Sequence, residues 1–546
     1  MAGAAGHRKV GIEDNFFELG GDSITSIQAV SRINRLGYTI QPKEIFIHQN
    51  IERLSKALLE RTNAVSLAEQ GILTGTAELL PIQQWYLQNN SEAISYFNQS
   101  ALLSIDKLVS EAMLQNVVNA IISQHDALRF RYENSDGEWQ QVYRNTDTIL
   151  QVEDLTDKAD INVSIKRIAD QTQQSLDILK GELIRVVLIK SGKQQPSNRL
   201  LIVIHHLAID GVSWRVLLED MEALLSLAAD NLPFKLPNKT SSYRQWYAAL
   251  QEYGHTRRLQ FQLKYWQQVQ SNYTGLIADN NYNKVVHVKD VAYHQVSLDT
   301  ASTKLLLQEL PRVYHTEIND ILLSALFQTF KKYCKGNKLL VGLEGHGRED
   351  ISADIDTSRT VGWFTNLYPV QFAISDNNNI DTLIKTVKEE LRSIPDKGLG
   401  YGVLKYINKA AELQGNDPWE IVFNYLGQLD NIVSNSRWFS AATEGSGEPI
   451  SPEQVLKEKI SVISFVGEGS LIVKWMYSKR HFTQQTINNI ATEYIEAIQA
   501  IIKHCQLKVN QGDTVFTPSD FGLGEEVTIE ELDDFLKEED DSIFSF

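Results

Sequence analysis

The chain has 546 residues, of which 42% are hydrophobic and 22% charged, values typical of a soluble protein with roughly three or four domain-sized units. Its net charge of −17 argues against a nucleic acid partner, because such proteins usually present a basic face. The absence of an apolar run of about 18 residues argues against a membrane span, and the N-terminus lacks the apolar core of a signal peptide. Cys334 and Cys505 belong to no CxxC or Cys/His cluster, which predicts neither a zinc site nor a disulfide framework. We expect a cytoplasmic monomer without a metal.

Residues 1–62 are predicted to form a small all-α unit, a four-helix bundle. One helix carries apolar side chains on a single face, at Ile24, Ile27, Val30 and Ile33. Gly37 is placed to end that helix, and Ile51–Leu59 is a second amphipathic stretch. Residues 38–47 contain Pro42 and are predicted to be a loop with a short turn. So small a core is more typical of a carrier or recognition module than of an enzyme.

Residues 63–76 are small and polar with no clear period, which predicts a linker. From residue 77 onward, long helical stretches alternate with strand-like runs, a pattern that favours an α/β fold. The clearest strand-like runs are 183–189, 200–205, 339–343 and 471–475. The unit of about 440 residues exceeds one typical core. We therefore expect an N-lobe at 77–250 and a C-lobe at 251–512.

Ser23 follows two glycines and an aspartate and opens the first predicted helix. Gly20 and Gly21 allow a tight turn and the close approach of a bulky partner. A serine at this position is usually a helix cap. It could also be an attachment site, because the N–H groups and the dipole of a helix start suit a phosphodiester. The residues alone leave both interpretations open.

The segment DNFFELGGDSITSIQ resembles the thiolation motif of peptidyl carrier proteins from nonribosomal peptide synthetases. The resemblance covers residues 11–60 and implies that Ser23 carries 4′-phosphopantetheine, with Gly21 and Asp22 beside the attachment point. It implies that the cofactor thiol holds an amino acid as a thioester, and that a phosphopantetheinyl transferase is a partner. Many carriers have His before the serine, whereas the Asp form found here tends to precede epimerisation domains.

A strand-like run, LLIVIHH, ends on His205 and His206, and Asp210 and Gly211 follow. Neighbouring side chains on a strand point to opposite faces, so only one imidazole can face a cleft. The sequence HHLAIDG resembles the HHxxxDG signature of the condensation-domain superfamily, which includes epimerisation domains. The resemblance implies two chloramphenicol-acetyltransferase-like lobes with a tunnel between them and a catalytic His206. It also implies structural roles for the other three residues, with Asp210 orienting the loop through a salt bridge whose partner the sequence does not name.

Further segments are similar to motifs of the same superfamily. The sequence EGHGR resembles an epimerisation-specific motif whose glutamate, here Glu344, works opposite the histidine. RTVGWFTNLYPV (359–370) is expected to shape the core. PDKGLGYG (395–402) lacks the GK[ST] of a phosphate loop and is a recurrent element of the epimerisation family. FNYLGQLD contributes Asn424 and Tyr425, which could reach the tunnel.

Inverting an α-carbon needs a proton removed from one face and another delivered to the opposite face, which an imidazole and a carboxyl group can do. The resemblance spans about residues 77–510 and implies a metal-free amino-acid epimerase that acts on a carrier-bound aminoacyl or peptidyl thioester during antibiotic biosynthesis. The implied type is the initiation module of gramicidin and tyrocidine synthetases. His206 and Glu344 would transfer the protons, while Asn424, Tyr425 or backbone N–H groups would stabilise the charge on the carbonyl oxygen. The alternatives are a carrier with a condensation domain that forms peptide bonds, and a carrier with an inactive docking domain.

Residues 513–546 form an acidic tail, with ten acidic residues and one lysine between positions 525 and 541. One interpretation is a solvated, disordered end. The other is a short helix that docks on a basic partner surface, favoured by the helical spacing of Ile529, Leu532, Phe535 and Leu536. The family resemblance also implies an upstream adenylation domain and a downstream condensation domain, the latter reached through this tail.

Overall fold

The structure is a computed structural model. It describes residues 10–38, 40–59, 68–90, 93–144, 149–158, 160–271, 273, 275–374, 379–429, 436–523 and 527–535. The N-terminal region is helical, with α1 (Ser23–Arg35), α2 (Pro42–His48) and α3 (Ile51–Leu59). These helices pack around a small apolar core that includes Phe16 and Ile45. Residues 16–20 are a run of turns, and positions 1–9 of the predicted bundle lie outside the described residues.

The prediction of a loop over residues 38–47 was wrong in its second half, where α2 forms. Pro42 lies in the first turn of this helix. Proline is well tolerated there because the N–H that it lacks would have no partner within the helix. Pro42 therefore marks the start of a helix.

The N-lobe is built on a five-stranded sheet whose strands lie in the order β13 (Phe439–Ala441), β2 (Asn98–Ile105), β7 (Asn198–His205), β6 (Ile184–Ser191) and β5 (Leu150–Leu155). Its central strand β7 (Asn198–His205) is buried along its whole length, which explains its continuous apolar sequence. The remaining helices and strands of this lobe are β1 (Gly75–Ala77), α4 (Pro81–Asn89), β2 (Asn98–Ile105), α5 (Glu111–Gln124), β3 (Phe130–Ser135), β4 (Glu138–Tyr143), β5 (Leu150–Leu155), α6 (Ile161–Gln173), β6 (Ile184–Ser191), α7 (Gly211–Ala229) and α8 (Tyr243–Gly254).

The C-lobe is built on a six-stranded mixed sheet with the order β11-β10-β12-β15-β16-β9. The helices and strands of the C-terminal half of the chain are α9 (Arg257–Gln270), β8 (Val286–His287), β9 (Val291–Leu298), α10 (Thr300–Gln308), α11 (Leu310–Tyr314), α12 (Ile318–Phe330), β10 (Lys338–Gly345), β11 (Asn366–Ala373), α13 (Ile380–Ser393), α14 (Leu399–Gly402), β12 (Ile421–Gln428), β13 (Phe439–Ala441), β14 (Val455–Leu456), β15 (Ile460–Gly467), β16 (Ser470–Ser478) and α15 (Gln484–Gln511). The two lobes have the chloramphenicol-acetyltransferase-like fold.

One strand of the C-terminal half belongs to the N-lobe sheet. Phe439 in β13 pairs with Ile105 in β2, antiparallel. Nearby, the Arg199 guanidinium contacts the Glu444 carboxylate at 2.8 Å. The two lobes are therefore interlocked by a crossing segment, which the predicted boundary between residues 250 and 251 does not reveal.

The acidic tail packs against its own C-lobe over the part that the structure describes. Residues 529–535 are helical. Leu532 is 6% exposed, whereas Phe535 is 58% exposed. Asp533 contacts Lys385 of α13 at 2.9 Å. Leu536 and the rest of the tail lie outside the described residues. Within the described ranges, every helix is too short or too polar to cross a membrane.

Candidate active site

The two histidines at the end of β7 have different surroundings. The His205 ring is fully buried, and its Nε2 lies 2.9 Å from the Ile94 carbonyl oxygen. Its Nδ1 accepts a hydrogen bond from the backbone N–H of Leu207. Both ring nitrogens therefore have backbone partners, and burial lowers the pKa of His205 to about 3. This is the geometry of a structural histidine that packs inward.

The His206 ring lies between two aromatic side chains. It stacks on Phe97 with ring centroids 5.0 Å apart and meets Trp363 at 4.2 Å. Its Nε2 lies 2.8 Å from Nε2 of Gln99. Trp214 donates its indole N–H to the Gln99 Oε1 at 2.8 Å. Because an indole N–H only donates, this bond orients the amide and directs the Gln99 N–H toward His206.

His206 is therefore arranged as a neutral imidazole. Its Nε2 accepts the Gln99 N–H, so the proton of the neutral ring resides on Nδ1. Burial lowers the pKa of His206 to about 4, although the nearby Asp210 carboxylate opposes the shift. An imidazole that is neutral at pH 7 can accept a proton.

Asp210 joins the histidine loop to the C-lobe. It caps α7 by accepting the Ser213 N–H at 2.7 Å. Its Oδ2 lies 3.0 Å from Arg348 Nη2 and accepts the Phe364 N–H. The partner that the sequence did not name is thus Arg348, within the EGHGR motif. Gly211 is the first residue of α7, directly after this cap.

Glu344 lies near the end of β10 and is a half-buried residue. Its Oε2 accepts a hydrogen bond from Asn424 Nδ2 at 2.5 Å. Burial raises the pKa of Glu344 to about 7, and the Glu458 carboxylate adds to the shift. At neutral pH this group can either donate or accept a proton.

Asn424 and Tyr425 are neighbours on β12, so their side chains point to opposite faces of the sheet. Asn424 reaches Glu344. Tyr425 lines a crevice of about 310 Å³ between the C-lobe and the carrier, together with Gly20, Gly21 and Asp22. The structure brings Asn424 to Glu344 and directs Tyr425 toward the carrier.

The carrier segment GGDS has a fixed local geometry. Asp22 and Thr25 form a reciprocal capping box, with both N–H···O bonds at 2.7 Å. Gly20 adopts φ +87°, and a Cβ on Gly21 would lie 2.4 Å from the Phe16 ring. Only glycine fits this close approach. Asp22 therefore caps α1, which leaves the half-buried Ser23 available for attachment.

The carrier contacts both lobes around Ser23. Gln428 donates to the Gly20 carbonyl oxygen at 3.0 Å. Arg359 donates to the Ser31 hydroxyl at 2.9 Å, and Arg32 contacts Glu219 at 3.1 Å. These contacts hold the start of α1 near the end of β12, one strand from Glu344.

The surroundings of Ser23 fit a phosphopantetheine attached to its hydroxyl. The crevice beside it contains two buried hydroxyl oxygens, Thr316 Oγ1 and Tyr425 Oη, which have no hydrogen-bond partner among the described residues. A polar arm with amide groups could satisfy both. The described residues contain no group of three side chains suited to a metal ion.

Two family models match the chain. The condensation-domain model matches residues 74–520, and the phosphopantetheine attachment site model matches residues 3–58. The chain belongs to the condensation-domain family. Its N-terminal region is a carrier with covalently attached 4′-phosphopantetheine. The two matches together describe a carrier followed by a condensation-family domain.

Curated synthase proteins are similar to almost the whole of the chain. A linear gramicidin synthase protein of Brevibacillus parabrevis is 39% identical over 529 residues, which cover 95% of this chain and 10% of that protein. Surfactin synthase subunit 2 of Bacillus subtilis (strain 168) is 37% identical, covering 97% of this chain and 15% of that protein. The chain spans about a tenth of the length of the first curated relatives that it matches.

Solved structures share the fold. The epimerization domain from the third module of tyrocidine synthetase B superposes with a TM-score of 0.75 at 33% identity, covering 81% of this chain and 99% of that one. The first condensation domain of the CDA synthetase gives a TM-score of 0.60 at 14% identity, covering 78% of this chain and 96% of that one. The second likeness shows the fold alone.

Several residues of the site were missed by sequence reasoning. Arg348 lies inside the EGHGR motif, which could have suggested it as the partner of Asp210. Trp363 was assigned to the core, and it is buried, but it also covers His206. Gln99 and Trp214 lie in no motif quoted for the family and reach His206 only through the fold.

Proposed function

We propose that the chain epimerises an aminoacyl group held as a thioester on its own carrier, converting the α-carbon from L to D. The observation that carries this proposal is the linked pair of proton-transfer groups. His206 from one lobe is neutral, Glu344 from the other has a pKa of about 7, and the ion pair between Asp210 and Arg348 ties their loops together. Similarity to an epimerization domain at 33% identity supports the same reaction.

The cofactor on Ser23 supplies a flexible thiol that holds the amino acid as a thioester, whose carbonyl group acidifies the α-proton. Ser23 provides the attachment point, and the hydroxyls of Thr316 and Tyr425 would hold the arm in the crevice. Because carrier and lobes share one chain, the substrate is presented at high effective concentration.

His206 would act at Nε2, the nitrogen that accepts the Gln99 N–H. Substrate entry displaces this N–H and exposes a lone pair that can take a proton from one face of the α-carbon. The rings of Phe97 and Trp363 keep His206 in place and exclude water. Gln99 is therefore a positioning residue that selects the tautomer with a basic Nε2.

Glu344 would exchange a proton with the opposite face. The two groups work as a pair that holds one proton in total, so one is acid when the other is base. Asn424 fixes the carboxyl group through one N–H and has a second to offer to the carbonyl oxygen of the substrate, where negative charge develops. Such a pair runs the reaction in both directions.

Peptide-bond formation at His206 is a second candidate function, which the condensation-domain match supports. It requires a second loaded carrier to supply the acceptor amine. Epimerisation requires only the chain's own carrier. The two functions are therefore distinguished by whether a single loaded chain, without a second carrier, inverts the α-carbon of its amino acid.

By analogy with the relatives, we propose that an upstream adenylation domain loads Ser23 and that a downstream condensation domain receives the product through the acidic tail. Within a synthetase, the chain would act as a monomeric segment. The similarity to a linear gramicidin synthase protein over 95% of this chain supports this placement.

The direct test is chiral analysis of the amino acid released from a loaded chain. Ser23 is charged with L-phenylalanyl-phosphopantetheine by a transferase, incubated alone, and hydrolysed. We expect D-phenylalanine to accumulate, and His206→Ala and Glu344→Gln to slow this by about 10²–10⁴-fold. The exposed His255→Ala and Glu412→Gln serve as matched controls. Unchanged L-phenylalanine, with dipeptide formed only when a second loaded carrier is added, would favour condensation instead.

A further inference from the structure

A cavity open at its mouth, with about 490 Å³ of space that includes solvent at the opening, lies against strand β11, which pairs with β10. We name it the aromatic cavity after its main lining side chains, Trp85, Trp246, Phe364, Tyr401, Tyr406 and Trp419.

Strand pairing places a wall residue of the aromatic cavity beside Glu344. Glu344 on β10 lies directly opposite Leu367 on β11, and Leu367 lines the cavity. Paired residues of an antiparallel sheet share one face and lie about 5 Å apart. Gly342 is two residues before Glu344 and shares the same face. A Cβ there would lie 2.7 Å from the Trp419 ring, a second wall of the cavity.

Other lining residues are next in sequence to side chains that pack around His206. Trp85 of α4 lines the cavity, and the next residue, Tyr86, packs against Trp363 with ring centroids 6.1 Å apart. Trp363 in turn covers His206. Phe364, adjacent to Trp363, also lines the cavity. The cavity thus adjoins the structural supports of both proton-transfer groups.

The chemistry of the lining favours an uncharged guest. Asp417 is the one ionised side chain among the described lining residues. Its Oδ1 contacts Lys405 Nζ at 3.0 Å, and its Oδ2 accepts the Trp85 indole N–H at 2.7 Å. With that charge already paired, the remaining surface is aromatic and aliphatic. A charged guest would lose its hydration without gaining a partner.

We propose that the aromatic cavity receives the side chain of the carrier-bound amino acid and selects large apolar or aromatic side chains. This inference rests on the proposed function, because it assigns the cavity to the substrate whose α-carbon lies between His206 and Glu344. The cavity is a specificity site, and Leu367 is the wall residue closest along the sheet to the reacting groups.

Burial of the side chain can be measured without turnover. A His206→Ala chain is loaded with 4-fluoro-L-phenylalanyl-phosphopantetheine, and its ¹⁹F resonance is recorded in H₂O and in D₂O. A buried ring gives a solvent isotope shift well below that of the urea-unfolded chain. Leu367→Trp, which fills the cavity, should restore the exposed value, whereas Leu108→Trp at a site that is 76% exposed should not. An exposed value in the starting chain would overturn the proposal.

Selectivity is measured by α-deuterium uptake in D₂O for phenylalanyl, leucyl, alanyl and aspartyl thioesters. We expect the phenylalanyl and leucyl groups to exchange at least about tenfold faster than the alanyl group, since one methylene in an apolar pocket is worth about 10–200-fold. Leu367→Trp should lower the phenylalanyl-to-alanyl ratio at least about tenfold.

The two measurements separate the two proposals. If the α-hydrogen exchanges at equal rates in all four aminoacyl thioesters and the fluorine is exposed, the cavity assignment is overturned and epimerisation stands. If the fluorine is buried and Leu367→Trp exposes it, but no aminoacyl thioester exchanges its α-hydrogen, the cavity assignment is supported and epimerisation is overturned.

Discussion

Arg348 Nη2 lies 3.0 Å from Asp210 Oδ2. Arg348 comes four residues after Glu344, and Asp210 comes four residues after His206. Both side chains are buried, at 1% and 5% exposure. Asp210 also accepts backbone N–H groups from α7 and from Phe364. The pair therefore joins the segment that follows Glu344 at the end of β10 to the segment that follows His206 at the end of β7.

Loss of the Arg348 side chain should destabilise the protein. Arg348→Ala leaves Asp210 as a buried charge without its cationic partner, which typically costs about 3–5 kcal/mol. The free energy of unfolding is measured by urea titration. Arg257→Ala, at an exposed position, is the control and should change it by less than about 0.5 kcal/mol. A similar small change for both variants would show that the pair does not hold the loops.

The rate of α-deuterium exchange should have a bell-shaped dependence on pH. Below the pKa of His206, about 4, both groups are protonated and no base is available. Above the pKa of Glu344, about 7, both are deprotonated and no acid is available. The pair holds one proton between these values, so kcat/KM should be highest there. A rate that keeps rising above pH 8 would contradict this pairing.

Gln99→Glu should move only the acid limb of that bell. A carboxylate beside Nε2 favours the protonated imidazole, so the pKa of His206 rises and the limb moves to higher pH by about one unit or more. The measurement is the same pH profile of exchange. Gln171→Glu adds an equal charge on an exposed helix face and should leave the limb in place. If the acid limb stays in place in Gln99→Glu, Gln99 does not contact the imidazole that acts as the base.

Glu344→Gln should stabilise the protein at alkaline pH. The folded-state pKa of about 7 lies above the ordinary value of 4.5, so the ionised group lowers stability. This loss grows from about pH 4.5 and is complete above about pH 7. The variant should match the parent in unfolding free energy near pH 4.5 and exceed it by up to about 3.5 kcal/mol at pH 8, given about 1.4 kcal/mol per pKa unit. Equal stability at pH 8 would mean that Glu344 is not kept in a desolvated site.

Local periodicity was a good guide to single elements. The apolar face of residues 24–33 and the stretch Ile51–Leu59 correspond to α1 and α3. The strand-like runs correspond to β6, β7, β10 and β16. These apolar patterns predict single helices and strands because each element buries one face or both, whichever elements it packs against. Pro42 misled because the same residue can break a helix or begin one.

Contacts between distant residues could not be predicted. Arg348 and Asp210 are 138 positions apart, and Gln99 and His206 are 107 apart. No spacing rule links such pairs, because they meet only after the two sheets have formed and the lobes have packed. The motifs therefore pointed to His206 and Glu344, whereas the groups that orient and tune them required the structure.

The central claim is that two groups on opposite faces of the α-carbon transfer the protons. It is tested most directly by loading Ser23 with a protiated L-aminoacyl group in D₂O and stopping the reaction within the first turnover. We predict that the D-isomer carries deuterium at Cα while the remaining L-isomer still carries protium. A D-isomer that retains the original protium, or an L-isomer that gains deuterium as fast as the D-isomer forms, would contradict the two-group account.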